Sequence, residues 1–157
     1  MTDLMPIKES KTKTTTVNVC SSSANARMIA NFRNHHLVID APDYAEGPGE
    51  AAMPPELFLS AIGGCAIAMF ELLAARDGLP LRHCSVTLNS AFGSQTRNAM
   101  GVTTFKEISL KFLLEGVFER QGQALLDTFQ AGCPLYGSIS MSCDKVAVQL
   151  QTQAQSL

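Results

Sequence analysis

Between Thr14 and Asp40 apolar and polar residues alternate over short spans: Val17 and Val19, then Met28, Ala30 and Phe32, then Leu37 and Ile39. A period of two sets one face of an extended chain against a core, so the pattern predicts three strands. Ser21-Ser22-Ser23-Ala24-Asn25 and Arg33-Asn34-His35 interrupt it and make the strands antiparallel hairpins. From Asp43 to Pro54 there is no period, and Gly47-Pro48-Gly49 marks a loop.

The pattern then changes to that of a helix from Pro55 to Asp77, with proline in its first turn, Glu56 at the positive end of the dipole and Gly78 as a stop. Nearly all its faces are apolar. Such a helix must be covered on most sides, by a sheet and, in a chain of 157 residues, by a partner subunit. Leu57 to Ala75 raises the question of a membrane span, but Glu71, the Gly63-Gly64 pair and the lack of a second span favour a buried core helix. Ser85 to Phe92 and Thr103 to Glu115 predict a half-buried hairpin, whose second strand alternates Ile108, Leu110, Phe112 and Leu114 with polar residues. Leu125, Leu126 and Phe129 share one face of a helix over Glu119 to Ala131, ended by Gly132. Cys133-Pro134 opens a short helix, and Lys145 to Thr152 closes the chain as a strand. The order predicts one α+β domain over residues 1–157, with residues 1–13 a flexible N-terminal segment.

Composition narrows the function classes. The chain is 46% hydrophobic and 17% charged, as a globular protein is. A net charge of -2 without a long Lys/Arg run argues against a nucleic-acid partner and against polybasic membrane binding. The first residues show neither an apolar signal-peptide core nor a small-residue cleavage site, so a cytoplasmic location is expected, with the five cysteines as thiols. There is no G-x-G-x-x-G, Walker-type or G-x-S-x-G motif, and no C-x-x-C. His35-His36 and His83-Cys84 lack the ligand spacing of a zinc site, so neither a cofactor nor a metal is expected.

Two cysteines stand out. Cys65 lies in mid-helix after two glycines, each costing about 1 kcal/mol relative to alanine, a cost usually offset by close approach of another backbone or a ligand. It reads either as inert packing or as a thiol that something approaches. Cys133 precedes Pro134, which places it at a helix N-cap, where free amides point at the sulfur and favour a thiolate. A plain structural cap is the alternative. Cys20, Cys84 and Cys143 sit at strand boundaries and read as small packing residues.

Pro54-Pro55-Glu56-Leu57-Phe58 leading to Gly64-Cys65, Ala74-Ala75-Arg76-Asp77-Gly78-Leu79, and Cys133-Pro134-Leu135 together resemble the OsmC/Ohr family, over about Val17 to Leu150. The resemblance implies an intertwined homodimer with two sites at the subunit interface. Its peroxidase members reduce organic hydroperoxides. There the helix cysteine, matched by Cys65, attacks the peroxide as a thiolate, and the second, matched by Cys133, condenses with the resulting sulfenic acid to a disulfide that an external dithiol reduces. Ala61, Ile62, Ala68 and Met69 around the sulfur imply a hydrophobic hydroperoxide or another apolar small molecule. An arginine stabilises the thiolate in these members; it is matched to Arg27, with Arg33 as the alternative. Their paired glutamate stands ten residues before the helix cysteine, where this chain has Pro55, and Glu56 is the nearest acid. Three functions follow: a thiol peroxidase, a non-enzymatic thiol redox sensor or apolar small-molecule binder, and a scaffold whose cysteines only pack.

Overall fold

The computed structural model describes residues 13–93, 97 and 100–154. Most of the N-terminal segment expected to be flexible, residues 1–12, lies outside them. Residues 1–54 and 55–157 form two compact units.

In the first unit β1 (Asn18–Ser21), β2 (Arg27–Phe32) and β3 (His35–Asp40) make an antiparallel meander, as the alternation predicts. The register places Arg27 directly opposite Asp40. After β3 the chain folds back through a short 3-10 turn at Asp43–Ala45, and Ala52 bridges Ile39. Gly47 is required here, because a methyl group at that position would stand 2.1 Å from the Ala41 carbonyl oxygen. Among the described residues of this unit only Ala30 and Asp40 are buried. A sheet with so little core of its own needs covering.

The second unit is a three-stranded sheet packed with three helices. Helix α1 (Pro54–Arg76) is followed by β4 (His83–Ala91) and β5 (Glu107–Glu115), which pair antiparallel. Then come α2 (Glu119–Gly132), α3 (Pro134–Ser142) and β6 (Lys145–Gln153), which lies parallel to β5. Parallel neighbours need a crossover, and α2 and α3 supply it. Ile108, Leu110, Phe112 and Leu114 of β5 are all at most 2% exposed and meet Phe70 of α1 and Phe129 of α2 in one aromatic and aliphatic core. Each such side chain contributes about 1.5–3 kcal/mol on burial.

Boundaries differ from the pattern for identifiable reasons. β5 begins at Glu107 instead of Thr103, because Phe105 leaves the ladder to stack on Phe58 at 5.2 Å and to meet Phe92 edge-on at 5.3 Å. β4 starts two residues earlier than expected, where His83 pairs with Glu115. Helix α2 runs through Gly132 and stops at Cys133, since Pro134 cannot continue it.

Helix α1 is less enclosed than an all-apolar helix suggests. Ile62, Gly63, Ala66, Phe70 and Ala74 form its buried face, while Ser60, Ala61, Gly64, Ala68 and Leu72 are exposed. It has the length and composition of a membrane-crossing helix, yet it is the core helix of this α+β unit, with its buried face on the sheet. Gly63 allows that packing: a methyl group there would stand 2.9 Å from Leu88 Cδ1 and 3.2 Å from Val86 Cγ1. At Gly64 it would meet nothing within 4 Å, so within this chain that glycine has no packing reason.

Candidate functional site

The structure brings Cys65 and Cys133 together across 68 positions of sequence, with Sγ atoms 2.9 Å apart. Both are free thiols. Cys65 sits on the flank of α1 that faces α2 and packs partly against the core. Cys133 is 3% exposed and stands between two helices. Its backbone N–H closes α2 by donating to the Phe129 carbonyl at 2.9 Å, and its own carbonyl accepts from Gly137 N at 2.9 Å in α3. As N-cap of α3 its sulfur accepts from the backbone N–H of Tyr136 at 3.4 Å.

The N-cap predicted from Cys133-Pro134 is therefore formed. The neighbouring ring of Tyr136 packs on Phe129 at 5.2 Å and its hydroxyl accepts from Gln130 Nε2 at 2.9 Å, which fixes the first turn of α3 under the sulfur. Tyr136 carried no signal in the sequence beyond its nearness to Cys133.

Burial raises the Cys65 thiol to about 11, and the hydrogen bond and charge of Cys133 act in the same direction. With the sulfurs in contact, loss of both protons from the pair is opposed. A disulfide bond is about 2.05 Å long, so the pair needs only a small approach to close one. The arrangement is suited to taking up and releasing two electrons as dithiol and disulfide.

Arg27 is held inside its own unit. Its Nε and Nη2 donate to the two oxygens of Asp40 at 2.8 Å each, and Nη2 also donates to Glu50 Oε2 at 2.7 Å. Asp40 accepts besides from the backbone N–H groups of Glu50 and Ala51, both at 3.0 Å. The Arg27 guanidinium, followed by these amides, outweighs burial and holds the Asp40 carboxyl down at about 2. The Arg27 pKa is pushed up in turn, first by Asp40 and then by Glu50. Neither acid was singled out from the sequence; the only available signal was a carboxylate ending an alternating strand. Arg33 lies exposed in the β2–β3 turn with φ of 54°.

Glu56 is not brought to the thiol pair within this chain. It lines an open groove with Leu59, Ser60, Gly63, Gly64, Val86 and Leu88, on the β4 flank of α1. Cys84 and Cys143 are packing thiols raised first by burial, and Cys20 is exposed in β1. Among the described residues no cluster of His, Cys, Asp and Glu could hold a metal ion.

Comparison with known proteins follows the same outline. The family model described as OsmC-like protein matches residues 47–148. An OsmC-like protein from Mycoplasma pneumoniae superposes with a TM-score of 0.77 at 16% identity, over 90% of this chain and 98% of that one. An organic hydroperoxide resistance protein from Elizabethkingia anophelis superposes with a TM-score of 0.70 at 16% identity, over 92% and 99%. One from Legionella pneumophila, described as an organic hydroperoxide resistance protein OsmC, does so with a TM-score of 0.67 at 19% identity, over 92% and 100%. No curated protein sequence matches the chain.

Proposed function

Because the chain belongs to the OsmC-like protein family, we propose that it is a thiol-dependent peroxidase that reduces organic hydroperoxides through Cys65 and Cys133. The observation that carries this reading is the contact of the two sulfurs at 2.9 Å. The hydroperoxide-resistance proteins of the same fold support it.

In this reading the Cys65 thiolate attacks the distal oxygen of ROOH and the O–O bond breaks. Cys65 becomes a sulfenic acid, and the alkoxide leaves as ROH after taking a proton. The Cys133 sulfur then attacks the Cys65 sulfur, an S–S bond forms, and water leaves with the former sulfenic oxygen. An external dithiol exchanges with that disulfide and returns both thiols, becoming oxidised itself. Cys65 needs a cation to ionise near neutral pH, since burial and Cys133 both oppose ionisation. We assign that part to Arg27, and the uncovered small-residue face of α1, with Gly64 at its centre, to a second copy of the chain in a homodimer.

A second reading, a thiol redox sensor or an apolar small-molecule binder, is favoured by one observation: Arg27 is already committed to Asp40 and Glu50. The deciding measurement is consumption of cumene hydroperoxide and of hydrogen peroxide with excess dithiol by wild type, Cys65→Ser and Cys133→Ser. Rapid turnover favouring the organic peroxide and lost in Cys65→Ser is expected. Oxidation that stops after one equivalent gives the sensor reading instead.

A further inference from the structure

Away from the sulfurs, the seam between α1 and α2 opens into a cavity of about 270 Å³. Its floor is apolar, with Leu73 of α1, Leu79 just after it and Leu125 of α2, and Ala124 of α2 stands exposed at its edge. Its rim carries Asp77, Arg120, Gln121 and Thr128. Three of these four are already occupied. Asp77 accepts from Arg76 Nε at 2.6 Å and Nη2 at 2.8 Å, so its charge is offset. Gln121 Oε1 accepts from Phe118 N at 2.9 Å, and Thr128 Oγ1 donates to the Ala124 carbonyl at 2.8 Å. Arg120 forms no ion pair among the described residues.

We propose that this cavity binds a small amphipathic monoanion, a short apolar chain ending in a carboxylate, with Leu73, Leu79 and Leu125 beneath the chain and Arg120 on the carboxylate. The volume lies just below the range of about 300–1,000 Å³ typical of drug-sized ligands, which suits a chain of a few carbons. A guanidinium is the side chain best matched to a carboxylate, because its fork of donors meets both oxygens. A neutral amphiphile leaves Arg120 unused, and a cation meets it with like charge. The apolar lining disfavours multiply charged anions such as phosphate, which would lose more hydration than one guanidinium restores. The site is separate from the proposed peroxidase chemistry, since no cysteine lines it and Leu73 lies eight residues beyond Cys65 on α1, about 12 Å along the helix axis.

The test is titration of the full chain by calorimetry with hexanoate, hexanol and hexylamine, in wild type, Arg120→Glu, Ala124→Phe and Cys65→Ser. Hexanoate is expected to bind saturably, and hexanol and hexylamine at least about tenfold more weakly, as loss of a charge-assisted hydrogen bond predicts. Ala124→Phe, at an exposed helix position over the cavity, should abolish binding, and Arg120→Glu, a surface change that leaves the cavity open, should weaken it by at least the same factor. Cys65→Ser should bind as wild type does. Absence of saturable hexanoate binding, or binding that survives both Arg120→Glu and Ala124→Phe, overturns the proposal. So does loss of binding in Cys65→Ser, which assigns the ligand to the thiol site.

Discussion

Glu56 and Cys65 stand on opposite flanks of α1: nine residues at about 100° each bring them half a turn out of phase, one toward β4 and the other toward Cys133. An acid in the first turn of this helix therefore does not act on the sulfur of its own chain. We expect Glu56→Gln to leave kcat/KM for an organic hydroperoxide within about twofold, below 0.5 kcal/mol of transition-state stabilisation. Steady-state kinetics decide it, and a hundredfold loss would give Glu56 a part in the site.

Arg27 and the Cys65 thiol offer a sharper pH test. In the single chain only burial and Cys133 act on the sulfur, and both raise it, to about 11; where the proposed cation lowers that value in the assembled protein, Arg27→Ala is expected to restore it. The ultraviolet absorbance of the thiolate reads this directly, and wild type should titrate lower. The sign for stability follows. A thiol raised on folding favours the folded chain below the unfolded value of about 9 and loses that contribution as pH rises through about 11. The urea midpoint of Arg27→Ala should fall over that window.

The acid side has its own group. Arg27 holds Asp40 at about 2 against an ordinary 3.8, so the stability it confers is complete above about pH 4 and is lost as pH falls through about 2. Asp40→Asn should be destabilised at pH 7 and should lose part of the wild-type decline between those two values. Urea unfolding at pH 7, 4 and 2.5 measures it, and an unchanged acid limb in the variant would remove Asp40 as its source.

How much of this was legible follows from what each feature depends on. Cys65 and Cys133 were found because each carries a local mark, paired glycines before one and a proline after the other. The strands came from alternation, and the α+β order with them. The clasp of Arg27 on Asp40 was not visible, because it depends on a cross-strand register that places position 27 opposite 40. The limited burial of α1 was equally hidden: composition says that a helix wants cover, while the fold decides which faces receive it.

The two glycines before Cys65 separate packing from assembly. At Gly63 an added methyl group gains about 1 kcal/mol of helix propensity but presses on Leu88 and Val86, and overpacking of that kind costs about 1–3 kcal/mol. A net loss of about 1 kcal/mol is expected for Gly63→Ala. At Gly64 the same methyl meets nothing within 4 Å, so Gly64→Ala should stabilise the isolated chain by about 1 kcal/mol. If a second copy crosses α1 at Gly64, that variant should also associate more weakly, and Gly64→Leu more weakly still. Analytical ultracentrifugation beside urea unfolding reads both quantities. Stabilisation with unchanged association would place the subunit contact elsewhere on the chain.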